Sequence, residues 1–164
     1  MAEQDWLAGQ FEQSRPHLQA VAYSMLGTVS EAQDAVQEAA VKAWRSLERL
    51  RDSDQARAWF LSIVANQCRS TMRRRWWSVV RLPSRDAAAG SPEEPAVQYL
   101  DLDRAMRRLS HDDRAILHLF YFLDLPIDEV ARVIGISAGA AKTRIYRAVH
   151  RLRPELELME EDLR

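Results

Sequence analysis

Between Pro83 and Pro95 the chain reads PSRDAAAGSPEEP, a run of small, polar and acidic residues that offers nothing to bury. Such a segment reads as a flexible linker. It divides the chain into an N-terminal part of about half the length and a shorter C-terminal part. At 164 residues, length alone is compatible with one domain or with two small ones. Neither part alternates apolar and polar residues as strands do, whereas both repeat apolar residues at helical spacing. The expected fold is all-α, two helical domains joined by a flexible linker.

In the first part, Phe11, Leu18, Val21, Ala22, Met25 and Leu26 recur at helical intervals until Gly27 and Thr28 break the run. Ser30, with Gln33 three residues on, suits the capping box of a second helix. That helix is expected to run to about Leu47, with an apolar stripe of Ala32, Ala35, Val36, Ala39, Ala40, Ala43, Trp44 and Leu47. Its opposite face shows Asp34, Glu38 and Lys42. A third helix is expected after Asp54, continuing to around Arg75. On it Trp59, Ser62, Asn66, Arg69 and Arg73 share one side, while Phe60, Leu61, Ile63, Val64, Cys68 and Met72 pack elsewhere. A ring, an amide and several guanidinium groups in line suit single-stranded nucleic acid. Periodicity alone favours a core tryptophan beside a solvated arginine face.

In the second part a helix is expected from near Ala96 to about Leu109, followed by a capping box at Ser110 and the apolar run Ile116 to Leu125. Pro126 fits the first turn of a short helix with Ile127, Val130, Ala131 and Ile134 inward. Gly135 ends it, and Ser137 is placed to cap a longer helix with an apolar stripe of Ala141, Ile145, Ala148, Val149 and Leu152. A small residue at the crossing (Ala131) and a glycine in the turn are what a helix-turn-helix needs. The outward face carries Thr143, Tyr146, Arg147 and His150, flanked by Lys142, Arg144, Arg151 and Arg153. A basic helix alone is usually a solvated face. Joined to the turn, the cap and the lack of acids, it suits the major groove of DNA.

Net charge is −1, yet the charge is segregated. From Asn66 to Arg85 the only charged residues are arginines, and Ala138 to Arg153 is purely basic. Asp86 to Asp103 and Pro154 to Asp162 carry acids alone. Two basic patches suggest two contacts with a polyanion. The run Arg73 to Trp77 (RRRWW) also suits a membrane interface, but it continues the third helix into the linker, so backbone contact with DNA or packing between domains fits better. No apolar run approaches a membrane span, the N-terminus lacks a secretory pattern, and the single Cys68 has no disulfide partner. These point to a cytoplasmic protein. The four histidines (His17, His111, His118, His150) are scattered without a metal-ligand pattern, and no P-loop or HExxH is present. His118 reads as a core histidine, and His111 and Asp112 follow a helix cap, so local capping explains them. No enzyme, metal, cofactor or small-molecule substrate is expected.

Leu125 to Arg144 (LPIDEVARVIGISAGAAKTR) resembles the C-terminal domain of sigma factors of the extracytoplasmic function class, the smallest of the sigma-70 family. Glu31 to Trp44 (EAQDAVQEAAVKAW) followed by Ala58 to Asn66 (AWFLSIVAN) is similar to the N-terminal domain of the same class. The resemblance implies a sigma region 2 domain of three or four helices at 5–80, a linker at 81–96 and a helix-turn-helix region 4 domain at 97–158. It implies an alternative sigma factor that brings core RNA polymerase to specific promoters and melts them at −10. Lys142, Thr143, Tyr146 and Arg147 match the −35 reading positions. Ser46, Leu50 and Asn66 match the −10 base pocket, with Trp59, Arg69 and Arg73 beside it on the strand-reading helix. Asp34, Gln37 and Glu38 match the surface that docks on the polymerase β′ clamp helices; the β flap, promoter DNA and an anti-sigma factor are the other partners implied. The linker acids Asp86, Glu93 and Glu94 match a segment that threads near the RNA exit path. Two departures stand out: Ala141 replaces a larger aliphatic residue, and Phe120 a basic one. Rival readings are a helix-turn-helix regulator acting without polymerase, and an interaction protein that no longer initiates.

Overall fold

The computed structural model describes residues 2–50, 53–81, 102 and 104–162. The expected linker, apart from Arg81, and half of the helix expected from Ala96 to Leu109 lie outside them. The described residues form helices and connecting turns, with no strand. Helix α1 spans Ala2–Leu26, α2 Val29–Arg45 and α3 Ala56–Arg81, with short 3-10 turns at Leu47–Arg49 and Ser53–Gln55 between the last two. After a helical turn at 104–107 come α4 (His111–Leu117), a π-helical turn (His118–Phe122), α5 (Ile127–Ile134) and α6 (Ala138–Asp162).

Helices α1, α2 and α3 pack pairwise, and each buries a stripe that water would otherwise cover. Leu18, Val21, Ala22 and Met25 of α1 meet Val36 and Ala39 of α2 and Phe60, Leu61, Val64 and Cys68 of α3 in one cluster. The ring of Phe60 stands edge-on to Phe11, centroids 5.1 Å apart. In the second half, Ile116, Leu119, Val130, Ile145 and Leu152 are buried, and they join the same cluster. The two halves therefore share a continuous apolar interior. Helix α1 packs on α4, and α3 packs on α5.

Several local expectations shift. Thr28, not Ser30, caps α2: its hydroxyl accepts from Glu31 N and also meets the Glu31 carboxylate. Thr28 and Glu31 are joined through the hydroxyl, which accepts from Glu31 N and donates to its carboxylate, and an acid in the first turn complements the helix dipole better than Gln33 would. Helix α2 ends at Arg45 and Leu47 belongs to the following 3-10 turn, while α3 extends beyond Arg75 to Arg81. Trp44, expected in the core stripe, is half exposed. Pro126 sits just before α5 with extended ψ and does not occupy its first turn. Ser110 caps α4 as expected, and His111, which follows that cap, places its Nδ1 2.6 Å from the Met25 carbonyl oxygen of α1.

Phe60 is fully buried, so Phe60→Ala should cost about 3–5 kcal/mol of stability. Urea unfolding followed by circular dichroism should show the lower midpoint with an unchanged slope. A loss under about 1 kcal/mol would mean the three-helix core closes without that ring.

Candidate nucleic-acid interface

The turn between α5 and α6 is built as local chemistry requires. Gly135 adopts φ +79°, a left-handed conformation that costs glycine little, and its N–H donates to Ala131 O at 2.8 Å. Ile136 N closes on the same carbonyl at 3.0 Å. Ser137 Oγ then accepts from Ala140 N at 3.2 Å and starts α6. Ala131 and Ala141 are both buried, and Ile145, Ala148 and Leu152 continue the inward stripe.

On the outward face of α6, Lys142, Thr143, Tyr146, Arg147 and His150 are exposed. Tyr146 is 71 % exposed, unusual for so large a ring, and it stacks with His150 at 6.4 Å and 8°. Thr143 donates its hydroxyl to Gly139 O, which leaves its lone pairs and methyl group facing outward. Four side chains that match reading positions thus share one accessible surface. Arg144 is turned aside: its Nε donates to Asp113 at 3.0 Å.

Along α3, Asn66 and Arg73 are exposed and Trp59 is half buried, its ring 5.4 Å from that of Phe60. Ser62 donates to Trp59 O. Arg69, expected on an open basic stripe, is instead drawn into the junction with the second half. Its Nε donates to Asp112 Oδ1 at 3.0 Å, its Nη2 to Ile134 O at 3.0 Å and its Nη1 to Asn66 Oδ1 at 2.9 Å. Ser46 ends α2 with its hydroxyl on Lys42 O, and Leu50 is half buried just beyond the 3-10 turn. Arg74, Arg75 and Trp76 are exposed, whereas the Trp77 side chain lies outside the described residues.

The acidic face of α2 is also present. Asp34, Gln37 and Glu38 are exposed on it. Buried Gln67 of α3 bridges two of its residues, donating through Nε2 to Glu38 and accepting from Lys42 Nζ. Arg74 lies 3.5 Å from Glu38, and Arg75 3.3 Å from Glu31. These contacts fix the rotation of α2 against α3, and with it the direction in which the acids point.

Sequence reasoning missed Asp112 and Asp113. They looked like ordinary first-turn acids of a capped helix, and Ser110 Oγ does accept from Asp113 N. Their carboxylates nevertheless gather Arg69, Arg144 and Arg151, the last at 3.9 Å. Nothing in local spacing could reveal a partner on α3. His118 is half buried, 5.0 Å from and nearly parallel to Phe122, and burial lowers its pKa, aided by the nearby charge of His17. Among the described residues no three His, Cys, Asp or Glu side chains form a metal-binding group, and no helix is long and apolar enough to cross a membrane.

Comparison with known proteins covers both halves. Residues 10–78 match the model of Sigma-70 region 2, and residues 99–152 that of Sigma-70, region 4. The chain is 30 % identical to the ECF RNA polymerase sigma factor SigL of Mycobacterium tuberculosis, over 83 % of this chain and 80 % of that one. It is 29 % identical to the RNA polymerase sigma factor SigV of Bacillus subtilis, over 87 % and 85 %. Among solved structures it resembles the sigma factor RpoE of Bartonella quintana, in complex with the anti-sigma factor NepR, with TM-score 0.76, 25 % identity and coverage of 92 % and 96 %.

Burial pushes the Cys68 thiol up to about 12. It should resist iodoacetamide at about pH 8 and react once the chain is unfolded, since only the thiolate is nucleophilic. The unfolded thiol ionises near its ordinary 9.0, so this contribution to stability is full below that pH and is lost as pH rises toward 12. Rapid alkylation of the folded chain, read by mass spectrometry, would contradict the packing of α3.

Proposed function

The chain belongs to the sigma-70 family as an alternative sigma factor of the extracytoplasmic function class, and on that premise we propose how its surfaces share the work of directing RNA polymerase to promoters. The α2 face of Asp34, Gln37 and Glu38 docks on the β′ clamp helices of core polymerase. The exposed face of α6 reads the −35 element, with Lys142 and Arg147 offering charged donors and Thr143 and Tyr146 shorter-range contacts. Ser46, Leu50 and Asn66 hold unpaired bases of the −10 element, with Trp59, Arg69 and Arg73 along the strand. Trapping a flipped base lowers the cost of opening the duplex, so melting needs no nucleotide hydrolysis by this chain. The region 2 domain extends over 5–80 and the region 4 domain over 97–158, joined by the linker at 81–96. The protein acts in the cytoplasm, without catalysis of its own. The β flap receives the second domain, and an anti-sigma factor, as in the RpoE–NepR complex, regulates it.

The observation that carries this reading is the coexistence of an exposed helix-turn-helix reading face with an acidic α2 face held in register by Gln67. A regulator acting without polymerase has no use for the second. Run-off transcription with purified core enzyme on a randomised promoter pool tests it, with transcripts read by sequencing. Transcripts sharing −35 and −10 motifs are expected. DNA binding without transcript would point to a regulator acting alone.

Arg147→Ala should lose about 1–3 kcal/mol of −35 discrimination if the guanidinium forks onto a guanine. An unchanged motif in the selected pool would remove Arg147 from the reading set. Asp34→Lys with Glu38→Lys should abolish co-purification with core enzyme while helical content persists. Asp34→Lys alone, which leaves the Gln67 bridge intact, should weaken it in the same direction. Normal co-purification of the double variant would overturn the docking face.

A further inference from the structure

Helix α3 buries an amide among apolar neighbours. Gln67 is 1 % exposed, on a helix that also buries Phe60, Leu61, Val64, Ala65 and Cys68. Burying an amide is costly unless its polar ends are hydrogen-bonded. Both are: Nε2 donates to Glu38, and Oε1 accepts from Lys42 Nζ. An apolar side chain of similar size would fill the space without that requirement, so packing alone does not call for glutamine.

Its two partners stand four residues apart on α2, the acid N-terminal to the base. That is the order and spacing in which a glutamate and a lysine pair directly on a helix surface. Here each turns to the amide instead. The chemistry at this position admits few substitutes. A carboxylate would take the lysine and repel Glu38, an ammonium would do the reverse, and either would be a buried charge. A neutral group with a donor and an acceptor at its tip serves both partners. Arg74 also lies near Glu38, at 3.5 Å, but both side chains of that pair stand in water, where such a contact neutralises little.

Glu38 is exposed beside Asp34 and Gln37. A face that offers two carboxylates suits a partner that presents cations, and an ammonium closed onto Glu38 would compete with that partner. We propose that Gln67 is a positioning residue for polymerase docking: its amide, interposed between Glu38 and Lys42, keeps them from pairing with each other and leaves the Glu38 carboxylate open to a cationic group of the polymerase. Gln67 itself touches no partner and acts through Glu38. The inference rests on the reading of the α2 face as the docking surface, and the choice of variants separates the two ideas.

The full chain, labelled with fluorescein at its N-terminus, is titrated with core enzyme and followed by anisotropy. Gln67→Met keeps the length of the side chain and removes both polar ends, so helical content should persist. Its Kd should rise about three- to tenfold, because Glu38 must then be freed from Lys42 and ordered on binding. Adding Lys42→Gln to Gln67→Met should recover most of that loss, since no ammonium remains to close on Glu38. A glutamine needed for packing alone predicts no such recovery. Gln67→Leu, alone and with Lys42→Gln, carries the same two expectations, so the test does not hang on one apolar side chain folding. An unchanged Kd in the single variants, or double variants as weak as the single ones, overturns the positioning role. Glu38→Gln with Gln67 in place should itself weaken binding. If it binds as tightly as the wild type, or if the wild type does not bind core enzyme, the docking reading on which the inference rests is removed.

Discussion

Helix α3 is claimed from two sides. Phe60, Leu61, Val64 and Cys68 face α1 and α2 and close the first core, while another part of its surface meets α5. At that second contact Arg69 ties α3 to both Asp112 and the end of α5. Were Arg69 turned outward, Ile134 O would lose a donor and Asp112 a partner, a cost that falls on groups already partly withdrawn from water. This one side chain ties the helix-turn-helix half to α3 at two points, Asp112 and Ile134 O. The apolar cluster running from Leu7 to Leu152 supplies the cohesion; the arginine supplies the direction.

Much of the fold was legible because it is written locally. Helical spacing identifies the buried stripes of α1, α3 and α6, and the Ala131, Gly135 and Ser137 chemistry defines the turn with its positive φ and its cap. What failed was competition between neighbouring signals. Thr28–Glu31 and Ser30–Gln33 both spell a capping box, and spacing does not rank them; the charged carboxylate near the helix N-terminus does. Trp44 follows Ala43 by one residue, and that rotation of about 100° carries it off the buried stripe.

The candidate site was legible in its residues but not in its state. Thr143, Tyr146, Arg147 and His150 emerge together on an open face, as expected from period, with Lys142 exposed beside them. The acidic α2 face is also there, although its support from Gln67 depends on a contact twenty-five and twenty-nine residues distant. Arg69 looked solvated because long charged side chains usually are. Its partner lies forty-three residues away across an expected linker, where neither periodicity nor motif reaches. Asp112 and Asp113 passed for cap acids because that task explained them fully.

A chain with two DNA-binding surfaces faces a physical difficulty, since each basic patch attracts polyanions without regard to sequence. On the proposed reading, polymerase docked on α2 answers it, because both surfaces then meet the promoter together. Footprinting of a selected promoter with the chain alone, core enzyme alone and the two combined tests this account most directly. Joint protection of −35 and −10 should appear only with the combination. The same protection from the chain alone would contradict it.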